Sequence, residues 1–420
     1  MLRTRKLYEE DAYQSSCSAS VLRVSRAEDG NAEHTGLWEI VLDQTVFFPE
    51  GGGQSADRGW IIPSGEETWE PAVVVDVRIV GDEIVHFVKP SGEDARTDGA
   101  QTFGAGQGDT RLPGEGDAVT ASIDWGRRFG FMQNHTGEHI LSGIMHARYG
   151  YDNVGFHLSD NTVTLDVSGS LSREQIIDVE WEANEAVYRN LPVMISYPDD
   201  AALAALSYRS KKEIEGQVRI VTIPDVDVCA CCAPHVRHTG EIGIIKIVRA
   251  IRWGDGMRLT IESGGRAFGT IQKGQLVLEE ISHLTNRSRE ESAEGVQHLL
   301  SEIEAYKERV KALSYEAAFL RLQALPTDAV NAFVFAQEMD AIVQRNLVNR
   351  LTEEHIGVCG VFVGDDENGY RYIIGSGNED VREIQTLLRE KCGAKGGGKP
   401  VMVQGSVKAD EKALRGILPA

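Results

Sequence analysis

Two pairs of metal-type side chains, far apart in the chain, constrain its fold more than any other feature. In QNHTGEHIL, His135 and His139 stand four apart, so on a helix both imidazoles leave one face, one turn apart, at a spacing suited to a single ion. In CACCAPH, Cys231 and His235 are again four apart, and a thiolate with three imidazoles is an ordinary inner shell for Zn2+. A fold that joins the pairs must bring the middle of a helix against a much later loop. Cys229 and Cys232 compete for the thiolate position and His238 for the imidazole. Such a metal serves either catalysis or structure alone.

The remaining cysteines fit this picture. Six in 420 residues are too sparse for a disulfide scaffold, and three crowded between 229 and 232 point to a metal or reactive thiol in a reducing compartment. The basic opening lacks an apolar run after it, and no stretch of about eighteen apolar residues occurs, so a cytoplasmic protein without a membrane segment is expected. With 64 acidic against 43 basic residues the formal charge is −21, which excludes a general binder of nucleic acid or acidic membrane. A polyanion must meet a local patch. The segment 209–266 reverses the sign, with Arg209, Lys211, Lys212, Arg249 and Arg252 among its basic residues, and Lys395 and Lys399 flank a terminal glycine-rich loop.

Patterning divides the chain into four expected segments. Residues 1–112 carry short β-rich runs, at 36–42, 72–80 and 84–88, punctuated by Gly, Asp and Pro. Residues 113–268 open with a strand at 118–123 and mix helices expected at 127–148 and 172–189 with further strands, an α+β pattern. Across 269–326 the apolar residues Val296, Leu299, Ile303, Tyr306, Val310, Leu313, Ala317 and Leu320 alternate spacings of three and four, the seam of a coiled-coil or helical arm ended by Pro326. Residues 327–420 read as a small α/β domain. The expected class is α+β: an N-terminal β-rich, barrel-like domain, an α+β zinc-binding domain, the arm, and the C-terminal α/β domain.

A third motif, FFPEGGGQSADRG, spans residues 47–59. Gly51, Gly52 and Gly53 free the backbone to approach a ligand or to make a tight hairpin turn. Thr45, Gln54 and Asp57 flank it with groups able to orient a small polar substrate.

TVFFPEGGGQSADRG, HTGEH and CCAPHVRHTGEIG, in that order, resemble the hallmark stretches of the editing domain of alanyl-tRNA synthetase and of its freestanding AlaX relatives. The arm and closing domain are similar to the DHHA1-type extension of the long AlaX form. The resemblance implies hydrolysis of serine or glycine from mischarged alanine tRNA, with Zn2+ on His135, His139, Cys231 and His235. It also implies that Thr45 and Gln54 line the aminoacyl pocket, with Thr45 reading the serine hydroxyl. The amides of Gly51, Gly52 and Gly53 are expected to help stabilise an oxyanion, and the basic residues named above to contact tRNA. A homodimer through 269–326 or the C-terminal domain is a further expectation. Two departures stand out: Cys-Cys-Ala-Pro-His where the family has Cys-Gly-Gly-Thr-His or close to it, and Glu138 where the family commonly has a small or neutral residue.

Two rivals come from other classes. H-x-x-E-H at 135–139 spells a peptidase motif in which Glu138 is the general base. A zinc-stabilised RNA-binding module without turnover needs only the arm and the basic patches.

Overall fold

The computed structural model describes residues 4–27, 31–64, 71–90, 112–210, 216–324 and 329–419. Contacts divide the chain into two compact units, Met1–Leu276 and Val277–Ala420. The architecture is mixed α+β, as expected. Among the described residues no helix is long and apolar enough to cross a membrane.

The first unit begins with a closed six-stranded barrel. Its strands run, around the barrel, Ser16–Arg26, Trp38–Leu42, Glu83–Pro90, Ala72–Val80, Gly59–Pro63 and Ala118–Ile123, which returns to the first. Closure leaves no strand edge exposed, and alternate residues turn inward: Ile40, Leu42, Ile61, Val74, Val88, Val119 and Ala121 are wholly buried. The strand Ala118–Ile123, the last of the β-rich runs expected between residues 17 and 123, closes the barrel, so the β-unit extends beyond the boundary expected at 112. No periodicity in a single strand reveals which neighbours will pair with it.

Directly after the barrel, Asp124 caps the helix Trp125–Tyr149 by accepting from the Arg127 amide at 3.0 Å, and Gly150, left-handed at φ 67°, ends it. This helix buries Phe131, Met132, Ile140, Leu141 and Met145 against a four-stranded antiparallel sheet. The strand order is Ile245–Trp253, Gly256–Ser263, Val163–Val167, Asn153–Leu158. The helix Arg173–Tyr188 joins the same core through Val179, Ala183 and Val187. A hairpin, Ile220–Ile223 with Asp227–Ala230, crosses the helix Trp125–Tyr149 closely because residue 143 is glycine: a Cβ there would lie 2.3 Å from the Val226 carbonyl oxygen.

In the second unit, the helix Ser292–Gln323 carries the expected seam. Its seam residues are exposed, Val310 at 63% and Tyr306 at 67%. Pro326 lies outside the described residues. The five-stranded sheet runs Ala332–Ala336, Cys359–Asp365, Gly369–Gly375, Met402–Val407, Lys395–Lys399. The expected glycine-rich loop is instead the edge strand Lys395–Lys399, paired from Lys395 opposite Ser406 to Lys399 opposite Met402. Glycine masked its β character, since it supplies no side-chain pattern.

Candidate metal centre

The two pairs meet. One donor atom from each of His135, His139, Cys231 and His235 lies within 4.8 Å of all the others; the histidines are buried and Cys231 partly so. Cys231 Sγ is 3.6 Å from His135 Nε2 and 3.4 Å from His235 Nε2. A tetrahedral ion with bonds of about 2.0–2.3 Å sets donor separations near 3.3–3.6 Å, so the cage has the right size.

Each ring is turned by a partner on its far side. His135 Nδ1 is 2.8 Å from Gln54 Oε1, His139 Nδ1 is 2.8 Å from Asp227 Oδ2, and His235 Nδ1 is 3.0 Å from Thr136 Oγ1. Thr136 spends its own proton on the Met132 carbonyl at 2.7 Å, so it accepts from His235 Nδ1–H. With the proton on Nδ1, the Nε2 lone pair faces the cage. Three rings oriented alike from a glutamine, an aspartate and a threonine leave a group of donors that could hold a metal ion.

The electrostatics agree. Burial pushes the Cys231 thiol up, but the His135 and His235 rings outweigh it and hold the group well below its ordinary value, as a thiolate. Burial holds His235 down at about 3, neutral and able to ligate. His139 runs the other way: burial disfavours its charge, yet Asp227 and Cys231 raise it well above its usual value. A buried thiolate and carboxylate thus draw one positive charge into the cage, by a proton or, better, by a cation that displaces it.

The competing donors are placed elsewhere. Cys229 groups instead with His139 and Asp227, a second set of three buried donors within 4.8 Å of one another that could hold an ion. Cys232 is exposed, its thiol pushed up to about 11 by burial of the sulfur and by neighbouring Cys231. His238 is 3.8 Å from Glu241. Glu138 is buried and accepts from Ser142 Oγ and Asn153 Nδ2, and it is not among the four grouped donors.

The glycine motif is a two-residue turn. Gly51 and Gln54 exchange backbone hydrogen bonds at 3.1 and 3.0 Å around Gly52 and Gly53, both left-handed at φ 61° and 84°. A side chain at residue 53 would also strike the Phe156 carbonyl oxygen at 2.3 Å. The turn pins Gln54 beside Leu158, whose amide donates to the Gly53 carbonyl at 2.7 Å. Of the three amides expected to face an oxyanion, that of Gly51 is therefore already committed. Gln54 reaches the cage through His135, and its Nε2 is a buried donor without a partner among the described residues.

Thr45 is wholly buried, and its partners are His86 Nε2 at 2.8 Å and the Phe47 amide at 3.1 Å. His86 Nδ1 faces the Ile40 carbonyl at 2.9 Å. A carbonyl only accepts, so Nε2 is bare and takes the Thr45 proton, leaving Thr45 Oγ1 an acceptor. Asp57 does not orient a ligand: it is buried against Arg128 and accepts from the Phe48 amide at 2.6 Å.

Arg209, grouped with the basic patch, is instead a partner of the centre: its Nε donates to Asp227 Oδ1 at 2.8 Å. Lys211 and Lys212 lie outside the described residues. Arg249 and Arg252 are exposed on the sheet's edge strand, and Lys395 and Lys399 on the C-terminal edge strand. Asp227, Thr136 and Arg209 were missed as parts of the centre. Asp227 precedes Cys231 by four positions, a spacing that means nothing until the hairpin is seen to cross the helix.

Comparison with known proteins follows the same lines. The profile of the threonyl and alanyl tRNA synthetase second additional domain matches residues 218–260, which hold Cys231 and His235. The profile of class II (A) tRNA synthetases matches residues 2–101. The alanyl-tRNA editing protein AlaX-L of Pyrococcus horikoshii is 28% identical over 97% of this chain and 96% of its own length. The chain is thus similar, over nearly its whole length, to an AlaX-type editing protein. It also matches alanine–tRNA ligases, at 32% identity in Pyrobaculum neutrophilum and 33% in Pyrobaculum arsenaticum, each over 98% of this chain. The chain spans 44% of the length of those two ligases.

Proposed function

We propose that the chain is an aminoacyl-tRNA deacylase that removes serine or glycine from mischarged alanine tRNA, in the cytoplasm, with Zn2+ on His135, His139, Cys231 and His235. The observation that carries this reading is the cage itself: three imidazole nitrogens and one Sγ within 4.8 Å of one another, in a chain similar to an alanyl-tRNA editing protein. Bound there, Zn2+ supplies a Lewis-acid charge that either activates water or anchors the terminal adenosine, and four protein donors closing the tetrahedron favour the anchoring role.

The chain's own residues do the rest. An aminoacyl ester is already activated, so orientation and oxyanion stabilisation count for more than a strong acid. Gln54 Nε2, buried and unpartnered among the described residues, can donate to the aminoacyl group. Thr45 Oγ1, its proton given to His86, accepts from a serine hydroxyl, which alanine lacks. A pocket that hydrogen-bonds such a hydroxyl discriminates by up to about 10⁴–10⁵. The exposed seam of the helix Ser292–Gln323 suits a second copy of the chain.

The peptidase reading is weaker because the Glu138 carboxylate is engaged by Ser142 and Asn153. The test is deacylation of Ser-, Gly- and Ala-charged alanine tRNA, with and without a chelator. Chelator-sensitive release of serine or glycine, with alanine spared, supports the reading. Stoichiometric binding without ester loss favours the RNA-binding module.

A further inference from the structure

Several basic residues of this acidic chain pair with a single carboxylate, as Lys246 does with Glu180 and Arg258 with Asp166. One place differs. Around Asp160, in the turn between the strands Asn153–Leu158 and Val163–Val167, three guanidiniums from three different elements converge. Arg127 holds both carboxylate oxygens, Nε to Oδ1 at 2.7 Å and Nη2 to Oδ2 at 3.2 Å. Arg58 Nη1 reaches Oδ2 at 3.2 Å. Arg266 Nη1 donates to the neighbouring Ser159 carbonyl at 2.8 Å, and its charge acts on the same carboxylate. Arg127 and Arg266 also lie over one ring, Phe131, at 4.2 and 5.6 Å from its centroid. The counter-charges are Asp160 and, beside Arg266, Glu262, so positive charge is in excess. Burial, and to a smaller extent the nearby Arg127, lower the Arg266 pKa although Asp160 and Glu262 raise it.

The position matters as much as the charge. Leu158, two residues before Asp160, pairs with Gln54, and the Ser55 amide donates to its carbonyl at 2.9 Å. Arg127 Nη1 donates to the Ala56 carbonyl in the same stretch. The cluster therefore stands at the end of the segment that carries Gln54 to the metal centre.

We propose that Arg58, Arg127 and Arg266 form a phosphodiester-binding site for the 3′-terminal strand of the charged tRNA, holding it so that the ester reaches Gln54 and the cage. This rests on the deacylase reading. Arg58 is half exposed, and in the described structure it uses Nε on the Val75 carbonyl and Nη1 on Asp160, leaving part of its planar fork for bidentate phosphate contact. Asp160, paired with Arg58 and Arg127, moderates the cluster's charge.

The test uses the full chain, with Arg58→Gln, Arg266→Gln and Asp160→Asn, and two substrates: seryl-charged alanine tRNA and the seryl ester of adenosine, which carries no phosphate. Dissociation constants for uncharged alanine tRNA are measured in parallel across a salt series. For each arginine variant the ratio of kcat/KM on tRNA to that on the adenosyl ester should fall about tenfold, and the salt slope of tRNA binding should drop by about 1. Asp160→Asn should tighten tRNA binding, the opposite of what a purely structural carboxylate would give. Parallel losses on both substrates, an unchanged ratio, or weaker binding by Asp160→Asn would overturn the proposal. If the wild type binds tRNA but hydrolyses neither ester, the deacylase reading fails, and the binding data alone then decide the site.

Discussion

Replacing Asp227 by asparagine should weaken the metal centre more than the loss of one charge suggests. Asp227 accepts twice, from His139 Nδ1 through Oδ2 and from Arg209 Nε through Oδ1, each at 2.8 Å, with its side chain only 2% exposed. Asparagine has one oxygen for these two donors. If it faces His139, the amide NH2 meets the Arg209 N–H; if it faces Arg209, the NH2 meets His139 Nδ1 and drives the proton to Nε2, where it occupies the cage. Loss of such an outer partner costs about 10–100-fold in metal affinity, and this geometry places Asp227→Asn near the upper figure, about 2.7 kcal/mol. Adding Arg209→Met removes the competing donor and lets the asparagine oxygen turn to His139, so the double variant should recover about tenfold. The assay is competition for Zn2+ against a chromophoric chelator at fixed pH and salt. An unchanged affinity in Asp227→Asn, or further loss in the double variant, would refute the reasoning.

Three other perturbations separate the parts. Gly53→Ala must adopt φ 84° with its methyl 2.3 Å from the Phe156 carbonyl oxygen, so it should destabilise the fold by about 1–3 kcal/mol and lower deacylation through displaced Gln54, read by thermal melting and turnover. Glu138→Gln should retain deacylation within a few-fold while lowering stability by about 1–3 kcal/mol, since both hydrogen bonds to its Oε1, from Ser142 and Asn153, lose their charge assistance; loss of turnover without loss of stability would favour the peptidase reading. Burial holds His86 at about 4, below the unfolded value of about 6.5. The unfolded chain takes up that proton first, so the His86 contribution to stability is complete above about pH 6.5 and declines as pH falls to about 4, by about 3 kcal/mol in all. Melting temperatures of wild type and His86→Gln across this range should diverge accordingly, and parallel curves would remove His86 as the source.

What could be read from the sequence followed from period and spacing. The His135/His139 pair was legible because a helix face is a local property, whereas Cys231 and His235 lie in a loop, where spacing alone left Cys229, Cys232 and His238 as competitors; the strand 72–80 matched because its hairpin partner is its neighbour in sequence. That Ala118–Ile123 closes the barrel was not legible, because it pairs with Ser16–Arg26, about a hundred residues away, and pairing across such distances leaves no local trace. For the same reason Asp227 and Arg209 stayed hidden: nothing in their neighbourhood distinguishes an aspartate behind a metal ligand from one in a turn. Arg209 also shows the limit of counting charges, since a guanidinium committed to a buried carboxylate looks in the sequence like any other in the patch.

X-ray absorption at the zinc edge of the purified, metal-loaded protein tests the central claim most directly. The account predicts one sulfur at about 2.3 Å and three imidazole nitrogens at about 2.0–2.1 Å, with the sulfur shell lost in Cys231→Ser and kept in Cys229→Ser and Cys232→Ser. A shell of oxygen and nitrogen alone in the wild type, or a sulfur that survives Cys231→Ser, would contradict it.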